Sequence, residues 1–289
     1  MSTTPIAITR QHGLDVIELR APDGARATVA LHGGHLLSWV PVGGAEQLYL
    51  SPRSGFGPSQ AIRGGVPVIF PQFSQRGSLQ RHGFARTKPW QLVMAERGAD
   101  DALAVLKLTG DAATHKSWPH AFELELSLRI AGRDLQIELA CEHMGAEGDA
   151  EFSFSTALHT YLQVGDVGEV SVEGLSGLRY FDNVDQTEKT QRVDLLLPGG
   201  ELDRIYYRAV EPLLLREHGI SAKRQVVIRQ QGFDEVVAWN PGPTRCAALP
   251  DMPADGYKNM LCLEAASVSR PITLAVGESW VGRQTLTLL

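Results

Sequence analysis

Strict alternation of apolar and polar side chains is the dominant pattern along this chain. It is clearest over residues 122–130 (FELELSLRI), where every second side chain is apolar. A period of two is typical of a β-strand that buries one face. The tetrad Ala131-Gly132-Arg133-Asp134 follows, and the alternation resumes over residues 135–139. The pattern predicts an antiparallel hairpin, because so short a connection leaves no room for a crossover helix.

Similar short strands are predicted elsewhere, and convincing helical periodicity is scarce. Glu211 to His218 is the best candidate for a short helix. Many short strands separated by glycine and proline turns predict an all-β fold, a large antiparallel β-sandwich with few short helices. The further predicted strands are Val16 to Leu19, Ala27 to Leu31, Ala104 to Leu108, Val226 to Ile228, Ile272 to Val276 and Thr285 to Leu288.

Length and composition favour a globular protein. A chain of 289 residues with 43% hydrophobic content can bury a large core without disulfides or structural metals. The length by itself allows one domain or two. The three cysteines, Cys141, Cys246 and Cys262, form no CxxC pair. An odd number of unpaired cysteines argues against a disulfide framework or a zinc knuckle, so we expect a cytoplasmic protein.

Charge and hydropathy exclude two classes of partner. The net charge is −6, and no lysine- or arginine-rich run is present, which argues against a general nucleic-acid-binding role. The N-terminal residues do not resemble a signal peptide, and no apolar run is long enough to cross a membrane. An anionic ligand would therefore need a local arginine pocket.

Several catalytic motifs are absent from the sequence. Phosphate-binding P-loops, dinucleotide-binding glycine motifs, HExxH and GxSxG do not occur. The segment His32-Gly33-Gly34-His35 offers two imidazoles, but no third metal ligand is evident and the glycines favour a tight turn. We therefore expect neither a metal nor another cofactor.

Two neighbouring segments suggest a phosphosugar pocket. Residues 61–73 (AIRGGVPVIFPQF) contain Arg63 and Gln72, and residues 81–86 (RHGFAR) contain His82 and Arg86. Glycines let the backbone approach a ligand closely, aromatic rings provide an apolar face for a sugar, and guanidinium groups match phosphate oxygens. Taken singly, however, each arginine also fits a surface ion pair, and the histidine also fits an ordinary loop position.

From about residue 30 to the C-terminus, the chain resembles the hexose-6-phosphate mutarotases, also called glucose-6-phosphate 1-epimerases, of the aldose 1-epimerase superfamily. This resemblance implies one domain over residues 1–289 with the galactose mutarotase-like supersandwich fold. It also implies that a small phosphosugar binds across a concave sheet. We expect a monomer, although the sequence contains no direct signal of the oligomeric state. The segments that carry the resemblance are GHLLSW (34–39), IRGG (62–65), HGFAR (82–86), ALHTY (157–161), WNPGP (239–243), DMP (251–253), GYK (256–258) and CLE (262–264).

The resemblance also implies an acid and a base. His159 falls at the family's general acid and Glu264 at its general base, which we expect on opposite sides of the bound pyranose. Opening the ring of a sugar requires a base that takes the C1 hydroxyl proton and an acid that protonates the ring oxygen. The neighbours of Glu264 are apolar, so a buried salt bridge is the main rival explanation for its position.

Further site residues follow from the same resemblance. Arg63 and Arg86 fall at the family's phosphate-binding arginines, and His82 is expected beside the sugar. Several family members carry an aspartate four residues before Trp-Asn-Pro to hold sugar hydroxyls, whereas here Glu235 has that spacing and Asp234 precedes it. Adjacent residues of a strand point to opposite faces, so one of the two faces the sugar, and the sequence leaves open which.

Four hypotheses about function remain at this stage. The first is an isomerase that interconverts the α and β anomers of a hexose 6-phosphate, with glucose 6-phosphate as the expected substrate. Its alternatives on the same fold are a noncatalytic phosphosugar-binding module and a mutarotase of free aldoses. The fourth is a glycoside-cleaving enzyme that pairs Glu264 with Asp234 or Glu235.

Overall fold

The computed structural model describes residues 3–219 and 224–289. Met1, Ser2 and residues 220–223 belong to the predicted domain but lie outside the described residues. The strands are β1 Thr4–Pro5, β2 Ile8–Gln11, β3 Leu14–Arg20, β4 Arg26–Ala30, β5 His35–Val40, β6 Val68–Ile69, β7 Gln91–Arg97, β8 Ala102–Thr109, β9 Phe122–Ala131, β10 Asp134–His143, β11 Phe152–Leu158, β12 Tyr161–Gln163, β13 Val170–Glu173, β14 Arg179–Asp182, β15 Thr187–Thr190, β16 Leu202–Tyr207, β17 Leu213–Glu217, β18 Gln225–Gln231, β19 Glu235–Asn240, β20 Met260–Leu274 and β21 Ser279–Leu288.

These strands form three sheets. The nine-stranded sheet has the order β1-β7-β8-β9-β10-β21-β18-β17-β13, and the four-stranded sheet has the order β2-β3-β4-β5. The eight-stranded sheet has the order β15-β14-β16-β19-β20-β11-β6, with β12 also paired to β20. The central pairings of both large sheets are antiparallel. The predicted all-β, antiparallel architecture is therefore confirmed.

The predicted hairpin is formed by β9 and β10. Ala131 pairs with Asp134, so the turn consists of Gly132 and Arg133. Gly132 has a φ angle of 58°, which an L-residue with a side chain adopts with difficulty. The other predicted strands are present as well, although the strand predicted to end at Val276 ends at Leu274.

The helix predicted over residues 211–218 is wrong, because Leu213–Glu217 is strand β17. Leu213 and Leu215 are buried and pair with Ile228 and Val226 of β18. A run of leucines fits either structure, and here the long-range pairing decides. The short α-helices of the described residues are Ala112–Ser117 and Gly242–Ala247, and short 3-10 helices occupy Ala85–Thr87, Val167–Glu169 and Gly256–Asn259. No described helix has the length and apolar character needed to span a membrane.

The main hydrophobic core joins all three sheets. It contains side chains from Ile17 near the N-terminus to Leu286 near the C-terminus. In β19 and β20, alternate side chains such as Ala238 and Leu263 enter this core. Their neighbours, such as Trp239 and Cys262, lie on the opposite face in a second cluster. We call this opposite face of the eight-stranded sheet the site face.

The turn at residues 32–35 supports the arginine-containing loop. Gly33 and Gly34 both have positive φ angles, which confirms the predicted tight turn. His32 and His35 do not point at a common ligand, because each binds a separate carbonyl group, that of Gln60 and that of Gly64, respectively. His35 is fully buried and donates its Nε2 proton at 2.8 Å. It thereby fixes the backbone directly after Arg63.

Replacing Leu126 with alanine tests the packing of the main core. Leu126 is buried on the core side of β9, whereas its neighbour Glu125 is exposed. We expect Leu126→Ala to lower the free energy of unfolding by about 2–5 kcal/mol, because a buried cavity is left behind. We expect Glu125→Ala to change it by less than about 0.5 kcal/mol. Urea unfolding measures both, and equal losses would contradict the assigned faces.

The burial of His35 predicts acid sensitivity. Desolvation lowers the pKa of His35 from 6.5 to about 3 in the folded protein. The unfolded chain therefore takes up a proton below pH 6.5 that the folded chain accepts only near pH 3. The contribution of the neutral, buried His35 to the free energy of unfolding is complete above pH 6.5. It is lost progressively towards pH 3, by about 1.4 kcal/mol per pH unit at most. Urea unfolding between pH 7.5 and pH 5 measures the loss.

A matched pair of variants assigns this pH dependence to His35. His35→Gln keeps a hydrogen-bond donor but does not titrate, so the pH dependence should become shallower. His12→Asn changes an exposed histidine and should leave the wild-type slope intact. A slope that His35→Gln does not change would contradict the prediction.

Candidate active site

A cavity of about 340 Å³ opens on the site face. This volume lies in the range of small-ligand pockets. Strands, loops and the short helix Gly242–Ala247 all contribute to its wall. The lining residues are Arg63, Phe73, Ser74, Gln75, Arg76, Arg81, His82, Arg86, His159, Tyr161, Asn183, Gln186, Asp203, Val237, Trp239, Arg245, Leu249 and Glu264.

The predicted acid and base meet in this cavity. His159 directly follows β11, and its backbone N–H donates to the carbonyl group of Pro67. Glu264 lies in β20, which pairs with β11, and its side chain points to the site face. His159 Nδ1 is 3.3 Å from Glu264 Oε1, and both side chains are buried. Two residues far apart in the sequence are thus direct neighbours.

Burial favours the uncharged form of each partner. Desolvation raises the pKa of Glu264 well above 4.5, and the Asp203 carboxylate adds to the increase. Desolvation also lowers the pKa of His159 well below 6.5, and the charges of Arg63 and Arg86 lower it further. Within the described residues, His159 Nδ1 and Glu264 Oε2 lack hydrogen-bond partners. Polar atoms left unsatisfied in a cavity are available to a ligand.

Aromatic rings hold the imidazole of His159. The Tyr161 ring stacks on it at 4.7 Å with an interplanar angle of 9°. Trp239 and His82 approach it edge-on at 6.0 and 5.7 Å, respectively. These contacts restrict the ring to one orientation, so its nitrogen atoms are aimed before any ligand arrives.

The two predicted phosphate-binding arginines line the same cavity. Arg63 is held by the Asp251 carboxylate, with Nε and Nη2 both 3.1 Å from Oδ2. Its Nη1 donates to the Tyr161 hydroxyl at 3.0 Å. Arg86 donates to the backbone carbonyl of Arg81, and no described carboxylate lies within 4.0 Å of it. Burial lowers the pKa of Arg86 to about 10, so it remains charged at neutral pH.

The cavity is positively charged although the chain is acidic. Five arginines line it, against two carboxyl groups, those of Asp203 and Glu264. Arg81 lines the cavity together with Arg63 and Arg86. The motifs did not identify it as a site residue, although it directly precedes His82 in the sequence. A net excess of guanidinium groups in a partly buried pocket favours an anionic ligand.

His82 lies in the cavity wall, whereas Gln72 does not. The Nδ1 atom of His82 accepts a hydrogen bond from the Ser74 backbone N–H at 3.3 Å, which leaves Nε2 as the protonated nitrogen. Desolvation lowers the pKa of His82, so the ring is neutral. Gln72 instead donates to the carbonyl groups of Ser74 and Leu79 and accepts from the Leu79 N–H. It shapes the loop that carries His82.

Neither Asp234 nor Glu235 lines the cavity. Asp234 is exposed before β19 begins. Glu235 is buried, but its Oε2 accepts the backbone N–H groups of Val268 and Ser269 at 2.6 and 2.9 Å. The acidic residue that lines the cavity together with Glu264 is Asp203 of β16, which pairs with Trp239 across the sheet.

Asp203 was not predicted as a site residue, because its neighbour across the sheet, Trp239, is 36 positions away in the chain. Asp203 lies two residues before Ile205 in β16, and residues two apart in a strand point to the same face. Because Ile205 packs on the site face, Asp203 lies on that face as well. Its Oδ1 accepts the Asn183 amide at 2.8 Å, and Arg245 lies 3.7 Å from Oδ2. Desolvation raises the pKa of Asp203.

Three neighbouring buried side chains, two of which line the cavity, have the chemistry of metal ligands. His159, Cys262 and Glu264 each offer one ligand atom, and these atoms lie within 4.8 Å of one another. Two of them are the predicted acid and base, so a bound metal would occupy the atoms that proton transfer needs. The expectation that the protein uses no metal stays a prediction.

Comparisons with known proteins agree with this geometry. The family model described as aldose 1-epimerase matches residues 15–287. A protein of Cenchrus ciliaris named "Putative glucose-6-phosphate 1-epimerase" is 36% identical over 282 residues, which cover 95% of this chain and 85% of the relative. A protein of Escherichia coli K12 with the same name is 38% identical over 260 residues, covering 89% and 84%, respectively.

A solved structure extends the similarity to the fold. The crystal structure of a Salmonella typhimurium protein described as a "putative mutarotase" superposes with a TM-score of 0.89 at 32% identity. The match covers 98% of this chain and 93% of the Salmonella protein. A family model that spans nearly the whole sequence and relatives above 30% identity lead to one conclusion: the chain belongs to the aldose 1-epimerase family.

Proposed function

We propose that this protein interconverts the α and β anomers of a hexose 6-phosphate, with glucose 6-phosphate as its substrate. One observation carries the proposal: the His159–Glu264 pair and the arginine cluster open into the same small cavity. The pair supplies proton transfer, and the arginines supply affinity for a phosphate group. The names of the Cenchrus and Escherichia coli relatives support the same substrate.

The reaction needs an acid and a base that lie close together. The proton of the pair moves from Glu264 to His159, the ionised Glu264 takes the proton from the C1 hydroxyl, His159 protonates the ring oxygen, and the C1–O bond of the ring breaks to give the open-chain aldehyde. Rotation about C1–C2 and reclosure with the roles reversed give the other anomer. Both reacting oxygens are bonded to C1, so the 3.3 Å contact supports this assignment. The expectation that the two residues lie on opposite sides of the ring is therefore replaced by one of adjacent positions.

The pair is best treated as one unit with a shared proton. Burial raises the pKa of Glu264 and lowers that of His159, so the two titrate together and neither keeps its ordinary value. A sugar that enters the cavity provides hydroxyl groups for the unsatisfied nitrogen and oxygen atoms. Proton movement between them then requires no further group from the protein.

The remaining lining residues have the chemistry to hold the sugar and its phosphate. Trp239 and Phe73 provide apolar surface for a pyranose ring, and Asp203 accepts hydrogen bonds from hydroxyl groups. The Nε2–H group of His82 is a donor beside the imidazole of His159. Arg63, Arg81 and Arg86 offset the charge of about −1.5 to −2 on a phosphate monoester.

The alternative functions fit the cavity less well. A pure binding module gains nothing from a buried carboxyl group next to an unsatisfied imidazole, which costs stability. A mutarotase of free aldoses has no need for the arginine cluster. Glycoside cleavage by Glu264 with Asp234 or Glu235 lacks its second carboxylate, since neither residue lines the cavity.

We also propose that the protein acts as a cytoplasmic monomer. The residues assigned to catalysis and binding all line one cavity of this chain, which is consistent with a monomer. The cysteines Cys141, Cys246 and Cys262 are free and buried, which suits a reducing compartment.

Substitution of the acid or the base tests the proposed chemistry. Each of His159→Asn and Glu264→Gln should slow the anomerisation of freshly dissolved α-glucose 6-phosphate at least about a hundredfold, because one proton transfer is lost. Polarimetry measures the rate. Glu235→Gln is the matched control: it changes a buried glutamate of the adjacent strand outside the cavity and should keep the rate within about threefold. A wild-type rate no faster than that in buffer would refute the function.

Substitution of the arginines tests recognition of the phosphate. Arg63→Ala and Arg86→Ala should each raise the KM for glucose 6-phosphate about tenfold or more, since a charge-assisted hydrogen bond is lost. The KM for free glucose should rise much less. Steady-state polarimetry with both sugars makes the comparison. Equal increases for the two sugars would show that these arginines act on the structure of the site.

A further inference from the structure

A continuous set of contacts joins the arginine cluster to the imidazole of His159. Arg63 donates a hydrogen bond to the Tyr161 hydroxyl at 3.0 Å, and the Tyr161 ring stacks on His159 at 4.7 Å. The same imidazole is 3.3 Å from the carboxyl group of Glu264. An anion that binds to Arg63 is therefore separated from the acid–base pair by one side chain, that of Tyr161.

The arginine charges act against the protonated form of His159 while the cavity holds no anion. Of the cavity arginines, Arg63 is paired with Asp251 and Arg245 with Glu201, whereas Arg81 and Arg86 have no described carboxylate within 4.0 Å. After burial itself, Arg63 and Arg86 are the strongest influences that lower the pKa of His159. A dianion bound between these groups would offset their charge and favour an imidazolium next to an ionised Glu264.

We propose that a tetrahedral dianion bound at Arg63, Arg81 and Arg86 switches on the His159–Glu264 pair, and that it does so even when it is not attached to the sugar. The protein then has a second activity: it anomerises a short, phosphate-free aldose when free phosphite or inorganic phosphate is present. This inference rests on the proposed function, and the chemistry at C1 is the same. Glu264 takes the proton of the C1 hydroxyl, His159 protonates the ring oxygen, and the reverse transfers follow on reclosure.

The geometry distinguishes activation from simple anchoring. An arginine that only holds a phosphate needs no bond to the ring that stacks on the acid, yet Arg63 makes one. Binding energy gained at a remote group of a substrate can be used at the reacting centre. A cavity of about 340 Å³ with room for a sugar phosphate also has room for a short aldose and a separate small dianion.

The test uses D-xylose, which is glucose without C6, together with sodium phosphite or sodium sulfate. Enzyme-dependent anomerisation is followed by polarimetry at constant ionic strength set with sodium chloride. The rate of an enzyme-free sample is subtracted at each anion concentration, because these anions are themselves weak acid–base catalysts. We expect a saturable increase of at least about tenfold, as expected when remote binding energy is used at the reacting centre.

Three variants identify the origin of the increase. Arg63→Ala and Arg86→Ala should lose the increase. His159→Asn should remain slow with the anion present, which shows that the anion acts through the imidazole. Arg20→Ala is the matched control. Arg20 is an exposed arginine that pairs with Glu18 and does not line the cavity, so this variant should retain the increase.

The result that overturns the inference is separate from the one that overturns the function. An enzyme-dependent xylose rate that phosphite leaves unchanged or lowers, in a preparation that turns over glucose 6-phosphate rapidly, would show that the phosphate subsite only anchors. An increase that survives both arginine substitutions would also overturn it. Absence of glucose 6-phosphate turnover would instead refute the proposed function itself.

Discussion

The site depends on a carboxyl group that is held in the interior of a sheet. Glu264 stands between Leu263 and Ala265, which both enter the main core, and its strand β20 is paired on both sides, with β19 and β11. A carboxylate removed from water is unfavourable unless another group compensates for it. The adjacent imidazole of His159 is the group placed to do so. Neither residue has its ordinary proton affinity, and each determines the state of the other.

The surrounding structure makes this arrangement rigid. Regular strands position Asp203, Trp239 and Glu264, whereas Arg63, Arg81 and His82 come from loops and Arg86 from the 3-10 helix Ala85–Thr87. Gln72 and His35 bind the backbone of these loops without entering the cavity. The guanidinium groups and the imidazole–carboxyl pair therefore line the same cavity. Low solvent access strengthens the electrostatic interaction between them.

Local patterns were sufficient to predict some of the strands, the β9–β10 hairpin and the glycine turn at 33–34. These features depend on neighbours in sequence, and alternation reports them directly. The resemblance added His159 and Glu264, the proposed catalytic pair, and the structure places their side chains in contact. The leucines of β17 were misread because their pairing partner β18 lies beyond a connection that local periodicity does not cover.

Contacts across the sheet were beyond the reach of the sequence. The spacing before Trp-Asn-Pro pointed to Glu235, which is on a neighbouring strand to Asp203 but is used to bind two backbone N–H groups of β20. The role of Gln72 was hidden for a different reason, since its hydrogen bonds to Ser74 and Leu79 lie within one irregular loop, where the sequence has no periodic pattern. Which of several acidic side chains faces a cavity is decided by register, and register depends on pairing partners that are distant in the chain.

The distribution of the cavity residues along the chain also determines when the cavity can form during synthesis and folding. Its wall draws on segments from Arg63 to Glu264, and β20 leaves the ribosome well after the segments that carry Arg63, Arg81 and Arg86. Pairings between such distant segments form slowly because long loops must close first. During synthesis, these arginines are therefore present before the carboxyl group of Glu264. The cavity acquires its proposed acid–base pair only when β20 has paired with β11.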